Sequence, residues 1–374
     1  MLRFIPLLLL AGFNSLTAQS NESFSFGGQS RTYIRYIPKN YKLGMKLPLV
    51  FVLHGFTQNA SSIMGYSGFN TLADSNNFFV VYANGISNAW NTNSGFPGGS
   101  TADDVGFIGA IIDTMQQRYG IDPKRVYSCG FSAGGFMSHR LACELGNRIA
   151  AIAAVSGTMS DAAFKSCKPS RVIPVMQIHG TSDAVVSYGG GISNISVDNT
   201  LKFWTGQNQC AAVSKTISLP DKVSEGSTVE RIEYAPCSAG TEVVHLKVNS
   251  GGHSWPGSSG SGLGNTNMDI SASSEIWKFF NRFTLDGAVS IVSIQENPEF
   301  NMFPNPVSDE LHVQWNADYT SFVLSVWDMQ GRMIMSHTAN GTASNLSTAN
   351  LKPGGYILKV QGADGNFERL FIRE

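Results

Sequence analysis

Charge is scarce in this chain. Lys, Arg, Asp and Glu make up 14% of its 374 residues, against about a quarter in ordinary soluble domains. The 26 basic and 27 acidic side chains nearly cancel, leaving a net charge of −1. With no excess of either sign, nothing favours nucleic acid or an anionic lipid surface as a partner. Long apolar runs are missing too. The stretch from Phe4 to Phe13 is about half the length of a bilayer-spanning helix, and no other run reaches spanning length, so no membrane span is expected. Neither C-x-x-C nor H-x-x-x-H spacing occurs, which removes the usual signatures of a zinc site.

Uncharged polar residues and 39 glycines fill the space that charge leaves, a composition that suits an exported protein. The opening "MLRFIPLLLLAGFNSLTAQS" has one Arg, a short apolar core and Leu16-Thr17-Ala18 before Gln19. It reads as a signal peptide, residues 1–18. No cysteine follows it to take a lipid anchor. Export permits disulfides, and there are five cysteines. Cys129 lies on a strand-like run and is expected to be buried and free. The other four allow three connectivities, and sequence neighbours favour Cys143–Cys167 and Cys210–Cys237.

Short apolar runs ending in Gly recur at 47–55, 78–85, 125–130, 149–157, 172–180 and 243–251. Such runs are the mark of parallel strands buried on both faces. Between them lies "DDVGFIGAIIDTMQQRYG", which sets Val105, Ile108, Ile111, Ile112, Met115 and Tyr119 on one helical face. Asp103 or Asp104 would cap this helix and Gly120 would end it. A second helix is expected over 271–283. This order predicts an α/β fold with a doubly wound, mostly parallel sheet over residues 24–283. A linker (284–300) and a small all-β sandwich (301–374) follow, the latter with short alternating strands and turn residues. His312 and His337 fall in strand contexts there and read as structural.

Residues 125–136, "RVYSCGFSAGGF", contain Gly-x-Ser-x-Gly. In a chain this rich in Gly and Ser the pattern arises by chance about half a time. Its setting is more specific, because a β-run precedes it and Phe136, Met137, Leu141 and Leu145 follow at helical spacing. A serine on a tight strand-to-helix turn is exposed for nucleophilic attack. Ester hydrolysis by Ser132 then needs a base, a group to orient it and donors for the oxyanion. Asp183 follows the run 172–180, and His253 sits in the glycine-rich "NSGGHSWPG", so Ser, Asp and His occur in the order of an α/β-hydrolase triad. Asp198 and Asp221 lack a strand feeding them. His139, His179 and His245 lie within elements, and His54 shapes a turn. The Ala133 amide is one expected oxyanion donor. Phe56 in "LHGFTQ" is the other, with Thr57 as its rival. Trp90, Phe96, Tyr188 and Trp255 are candidates for stacking on the substrate.

Together "LHGFTQ", "DDVGFI", "IDPKRVYSCGFSAGG", "LACEL", "IHGTSDAVVSY" and "GGHSWPG" resemble the secreted polyhydroxybutyrate depolymerases, feruloyl esterases and acetylxylan esterases (carbohydrate esterase family 1). The resemblance implies an α/β-hydrolase fold, no cofactor, the triad Ser132, Asp183 and His253, and the two bridges above. It departs at Phe56, where depolymerase-type loops usually carry Cys. "FPNPVSDELHV", "VWDMQGR", "LKPGGYILKV" and "RLFIRE" resemble the C-terminal sorting domain of the type IX secretion system, which implies that machinery as a partner and an extracellular or cell-surface location. The expected activity is a secreted serine esterase acting on feruloyl or acetyl esters of plant polysaccharide. A polyester (polyhydroxyalkanoate) depolymerase, a peptidase and an inactive hydrolase-fold binding protein are the alternatives.

Overall fold

The computed structural model describes residues 17–374 apart from 94–98, 213, 260–261, 289–299, 316–321, 329–331 and 363–364. Phe96, nearly all of the signal-peptide reading and most of the stretch 284–300 therefore lie outside the described residues. The chain divides into two compact units, Met1–Val289 and Ser290–Glu374.

The first unit is built on a 10-stranded sheet. Its strands are β1 (Gln19–Phe26), β2 (Gln29–Tyr36), β3 (Leu49–Leu53), β4 (Phe79–Ala83), β5 (Val126–Phe131), β6 (Ala151–Val155), β7 (Val175–Gly180), β8 (Ser214–Ser218), β9 (Thr228–Tyr234) and β10 (Val243–Asn249). Their spatial order is β1-β2-β4-β3-β5-β6-β7-β10-β9-β8. The centre, β4-β3-β5-β6-β7-β10, is parallel throughout. Antiparallel strands β1–β2 and β9–β8 extend it on either side.

Among the described residues seven α-helices accompany the sheet: α1 (Ala60–Ser67), α2 (Phe69–Asn76), α3 (Asp104–Tyr119), α4 (Ala133–Glu144), α5 (Asp161–Ser166), α6 (Val197–Gln207) and α7 (Ala272–Phe280). Alternation along β3 shows why its residues are all apolar. Leu49, Phe51 and Leu53 pack with Phe107, Ile111, Met137 and Leu141 of α3 and α4. Val50 and Val52 pack on the other face with Ile63, Phe69 and Ile276 of α1, α2 and α7. A strand covered by helices on both faces has no side left for polar residues. The Asp103 carboxylate caps α3 by accepting from the Gly106 amide at 2.8 Å, and Gly120 ends the helix at φ 63°. Asp104 is instead fully buried against Arg31, at 2.5 Å. Cys143–Cys167 and Cys210–Cys237 are bridged, and Cys129 is buried and free. A two-residue strand pair, β11 (Phe283–Thr284) with β12 (Gly287–Ala288), follows α7, where the sequence suggested only a linker.

The second unit is all-β. Strands β13 (Phe300–Phe303), β14 (Glu310–Trp315) and β17 (Ala343–Ser347) form one sheet; β15 (Phe322–Asp328), β16 (Met333–Ala339), β18 (Gly354–Gly362) and β19 (Gly365–Arg373) form another, in the order β16-β15-β18-β19. Leu311, Val313 and Leu346 of the first sheet share a core with Leu324, Val326, Leu358 and Phe371 of the second. Among the described residues no helix is long and apolar enough to cross a membrane.

Candidate active site

After β3 the chain adds β4 on one side and then β5 on the other, so the strand order reverses between β3 and β5. In such sheets ligands bind beyond the carboxyl ends of the strands at that reversal. The loop beginning at His54 and the turn at Ser132 both lie there.

Ser132 joins β5 directly to α4 with φ 53° and ψ −119°, a conformation that costs a residue bearing a Cβ about 1–3 kcal/mol. The flanking glycines are steric requirements. A Cβ on Gly130 would sit 2.3 Å from the Gly134 carbonyl carbon, and one on Gly134 would sit 2.1 Å from the Leu53 carbonyl oxygen. The turn therefore closes only because strand and helix meet through bare backbone. The Ser132 amide donates to Val155 O at 2.8 Å. Ala133 opens α4, where a first-turn N–H has no acceptor within the helix.

The loop after β3 is tied down on both sides of Phe56. The Gly55 amide donates to Gln58 Oε1 at 2.9 Å, and the Thr57 amide to Asn88 O at 3.0 Å. The second bond occupies the N–H of Thr57, the rival donor. Phe56 is 40% exposed and lines the cleft.

Asp183 and His253 meet across the ends of β7 and β10. His253 Nδ1 lies 2.8 Å from Asp183 Oδ2, while Asp183 Oδ1 accepts from the Val185 and Val186 amides at 2.9 and 2.8 Å. Burial alone would raise the Asp183 pKa. The His253 hydrogen bond, the fields of His253 and His179 and the Val186 amide outweigh it and hold the carboxyl below its usual range. An antiparallel bridge between His253 and Leu263 fixes the histidine's backbone, and Tyr66 Oη accepts from the Trp255 amide at 2.9 Å. Ser132 and His253 line one cleft of about 560 Å³, together with Tyr66, Phe131, Val185 and Leu263. Among the described hydrogen bonds none joins Ser132 to His253. Such bonds often tighten only when substrate binds.

Behind Asp183 runs a buried polar row with its tautomers set. Trp204 Nε1 donates to His139 Nδ1 at 3.1 Å, so His139 Nε2–H faces Gln177 Oε1 at 3.2 Å. The Gln177 amide nitrogen donates to Gly157 O at 2.8 Å and faces His179 Nδ1 at 3.2 Å. His179 Nε2 then donates to Val186 O at 2.8 Å and stands 3.4 Å from Asp183 Oδ2. Burial lowers the pKa of His179, and that of His54, His139 and His245 to about 4, which keeps these rings neutral. His54 receives the Gly85 amide at 3.0 Å and faces Gly55 O at 2.7 Å, so its role is to hold the turn.

The expected aromatic contacts need correcting. Trp90 is 2% exposed, with Nε1 donating to His54 O, and Trp255 is 1% exposed, with Nε1 donating to Ser273 Oγ. Tyr188 Oη is engaged with His245 Nε2 at 2.9 Å, and the ring packs edge-on against His179. None of the three lines the cleft; their polar atoms find partners in the core. The apolar side chains that do line it are Phe56, Tyr66, Phe131, Val185 and Leu263. Sequence reasoning missed Tyr66, Phe131, Val185 and Leu263. Val185 had the best signal, two residues beyond Asp183.

The chain has recognisable relatives among known proteins. Residues 31–200 match the "Esterase PHB depolymerase" family and residues 301–373 the "Secretion system C-terminal sorting domain". The chain is 32% identical over 266 residues to "Bifunctional acetylxylan esterase/xylanase XynS20E" of Neocallimastix patriciarum, covering 70% of this chain and 35% of that protein. It thus spans about a third of that relative's length. It is 30% identical over 257 residues to "Probable feruloyl esterase C" of Aspergillus clavatus, covering 67% of this chain and 83% of that one. The solved structure "Acetyl xylan esterase from Aspergillus awamori" superposes with a TM-score of 0.50 at 15% identity, over 71% of this chain and 99% of that chain, and shares the fold. The chain carries an α/β-hydrolase unit followed by a region that matches the secretion sorting domain, and through the first it belongs to the esterase family of feruloyl esterase C.

Proposed function

We propose that this protein hydrolyses carboxylic esters through an acyl-enzyme formed on Ser132. The observation that carries the reading is a strained serine sharing a cleft with a histidine whose far nitrogen is bound to a buried carboxylate. His253 takes the Ser132 proton as Oγ attacks the ester carbonyl, and Asp183 stabilises the imidazolium that results. The amides of Ala133 and Phe56 receive the oxyanion. Expulsion of the alcohol, protonated by His253, leaves the acyl-serine. Water activated by the same histidine then releases the acid and restores Ser132.

The substrates proposed are feruloyl or acetyl esters of plant polysaccharide. The names of the relatives and a cleft with several apolar walls support an acyl group held beside Ser132. The family description keeps a polyester as the second reading. The sorting domain directs the protein to the outside of the cell or its surface, with residues 1–18 as the leader and the type IX machinery as the proposed exporter. Wild-type protein should react with a fluorophosphonate probe and turn over p-nitrophenyl acetate. Ser132→Ala should lose labelling and fall by about 10⁴-fold or more in kcat; retained turnover would reject Ser132 as nucleophile. Rates on methyl ferulate, acetylated xylan and polyhydroxybutyrate then rank the substrates.

A further inference from the structure

Among the described residues other than glycine that hold a positive φ, Ser156 alone is buried. It follows β6 directly, with φ 50° and 1% of its surface exposed. A Cβ makes that conformation costly, and it persists only where the surroundings enforce it. Glycine would adopt it freely. What serine adds over glycine at this position is a hydroxyl.

That hydroxyl reaches the histidine loop. Ser156 Oγ donates to Ser254 O at 3.2 Å, in a buried bond that joins residues 98 apart in sequence. Among the described hydrogen bonds Ser254 O has no other donor. The residues on either side are held from elsewhere. His253 exchanges N–H···O bonds with Leu263 at 2.7 and 2.9 Å, and the Trp255 amide donates to Tyr66 Oη. Ser156 therefore supplies the middle of three successive anchors. Its neighbours grip the nucleophile. Val155 O accepts from the Ser132 amide, and Gly157 abuts Ser132 O so closely that a Cβ there would sit 2.5 Å from it. The Ser156 amide donates to Ile178 O at 2.9 Å, on the strand β7 that leads to Asp183. Residues 155–157 thus touch the backbone of Ser132, the strand before Asp183 and the loop of His253.

We propose that Ser156 is a positioning residue that keeps His253 in register with Ser132. The proposal rests on the reading of these two as base and nucleophile and concerns how they are aligned. A proton moves from Oγ to the imidazole only over a short, aligned path, and a misplacement of about 1 Å can cost on the order of 10²-fold. With the Ser254 anchor gone, the loop keeps its ties at His253 and Trp255. The expected loss is therefore partial, well short of removing the base.

Full-length Ser156→Ala and Ser156→Gly are compared on p-nitrophenyl acetate. Alanine keeps the strained φ and glycine relieves it, while both lack the hydroxyl. Both should lose about tenfold in kcat with KM within about twofold of wild type. With His253→Ala added, neither should cost anything further, because residues that act through one group are not additive. Ser156→Cys keeps the shape and a weak donor, so it should lose less, and it still reports if the other two fail to fold. The low-field proton resonance of His253 Nδ1–H, bonded to Asp183, should shift or broaden in the same variants. Wild-type kcat in Ser156→Gly, or a loss that multiplies with that of His253→Ala, overturns the proposal and leaves the hydroxyl a packing group. The resonance needs no turnover. A wild type inactive on small esters would reject the esterase reading, while the resonance still decides whether Ser156 sets the ring.

Discussion

Ser132 holds a backbone conformation that glycine adopts freely and serine does not. If that strain is stored in the folded state, Ser132→Gly should be inactive yet more stable than wild type by about 1 kcal/mol. Urea midpoints at constant m-value measure this, and no gain would mean that the turn relaxes around the serine. Local pattern also explains which of the proposed site residues the sequence could offer in advance. Ser132, Asp183 and His253 each follow a strand-like run in the required order. Trp90 could not be placed, because the acceptor of its indole is His54 O, which only the folded sheet brings near. Leu263 reaches the cleft through its bridge to His253, and nothing in the Gly/Ser-rich stretch around it signals that contact.

At the level of elements, the central strands were legible because helices cover both faces and leave runs such as Leu49–Leu53 wholly apolar. The flanking strands were not. β1 alternates exposed and half-buried residues, and β9 is polar along much of its length, so neither makes an apolar run. The junction of β5 with α4 is where the elements are least tolerant of change. Gly134→Ala would drive a methyl into the Leu53 carbonyl and should abolish folded, soluble protein. Gly109→Ala in α3 makes a useful contrast, since a Cβ there meets nothing within 4 Å. It should stabilise by up to about 1 kcal/mol through helix propensity. Thermal unfolding of the two variants side by side checks the pair, and a destabilised Gly109→Ala would contradict it.

Over the whole molecule, acid is the expected weakness. His54, His139 and His245 are held neutral down to about pH 4, whereas in the unfolded chain they take up protons below their usual 6.5. Between those values the unfolded state binds more protons, so stability falls as pH drops through that window. Asp104, raised by burial, works in the opposite direction but is one group against three. The hydrolase unit should therefore lose several degrees of Tm between about pH 6.5 and 4; a flat profile would mean that the histidines protonate in place. The division into an α/β unit and a β tail was readable from the change in strand pattern near residue 300. The sheet's edge strands and the walls of its cleft were not, since both depend on segments far apart in sequence.

The buried row behind Asp183 has one further consequence. Gln177 stands between His139 and His179, and an amide passes on orientation but not protons. The row is therefore a strut and not a wire. Protons taken up by His139 in acid have no relay through Gln177 to His179 and Asp183.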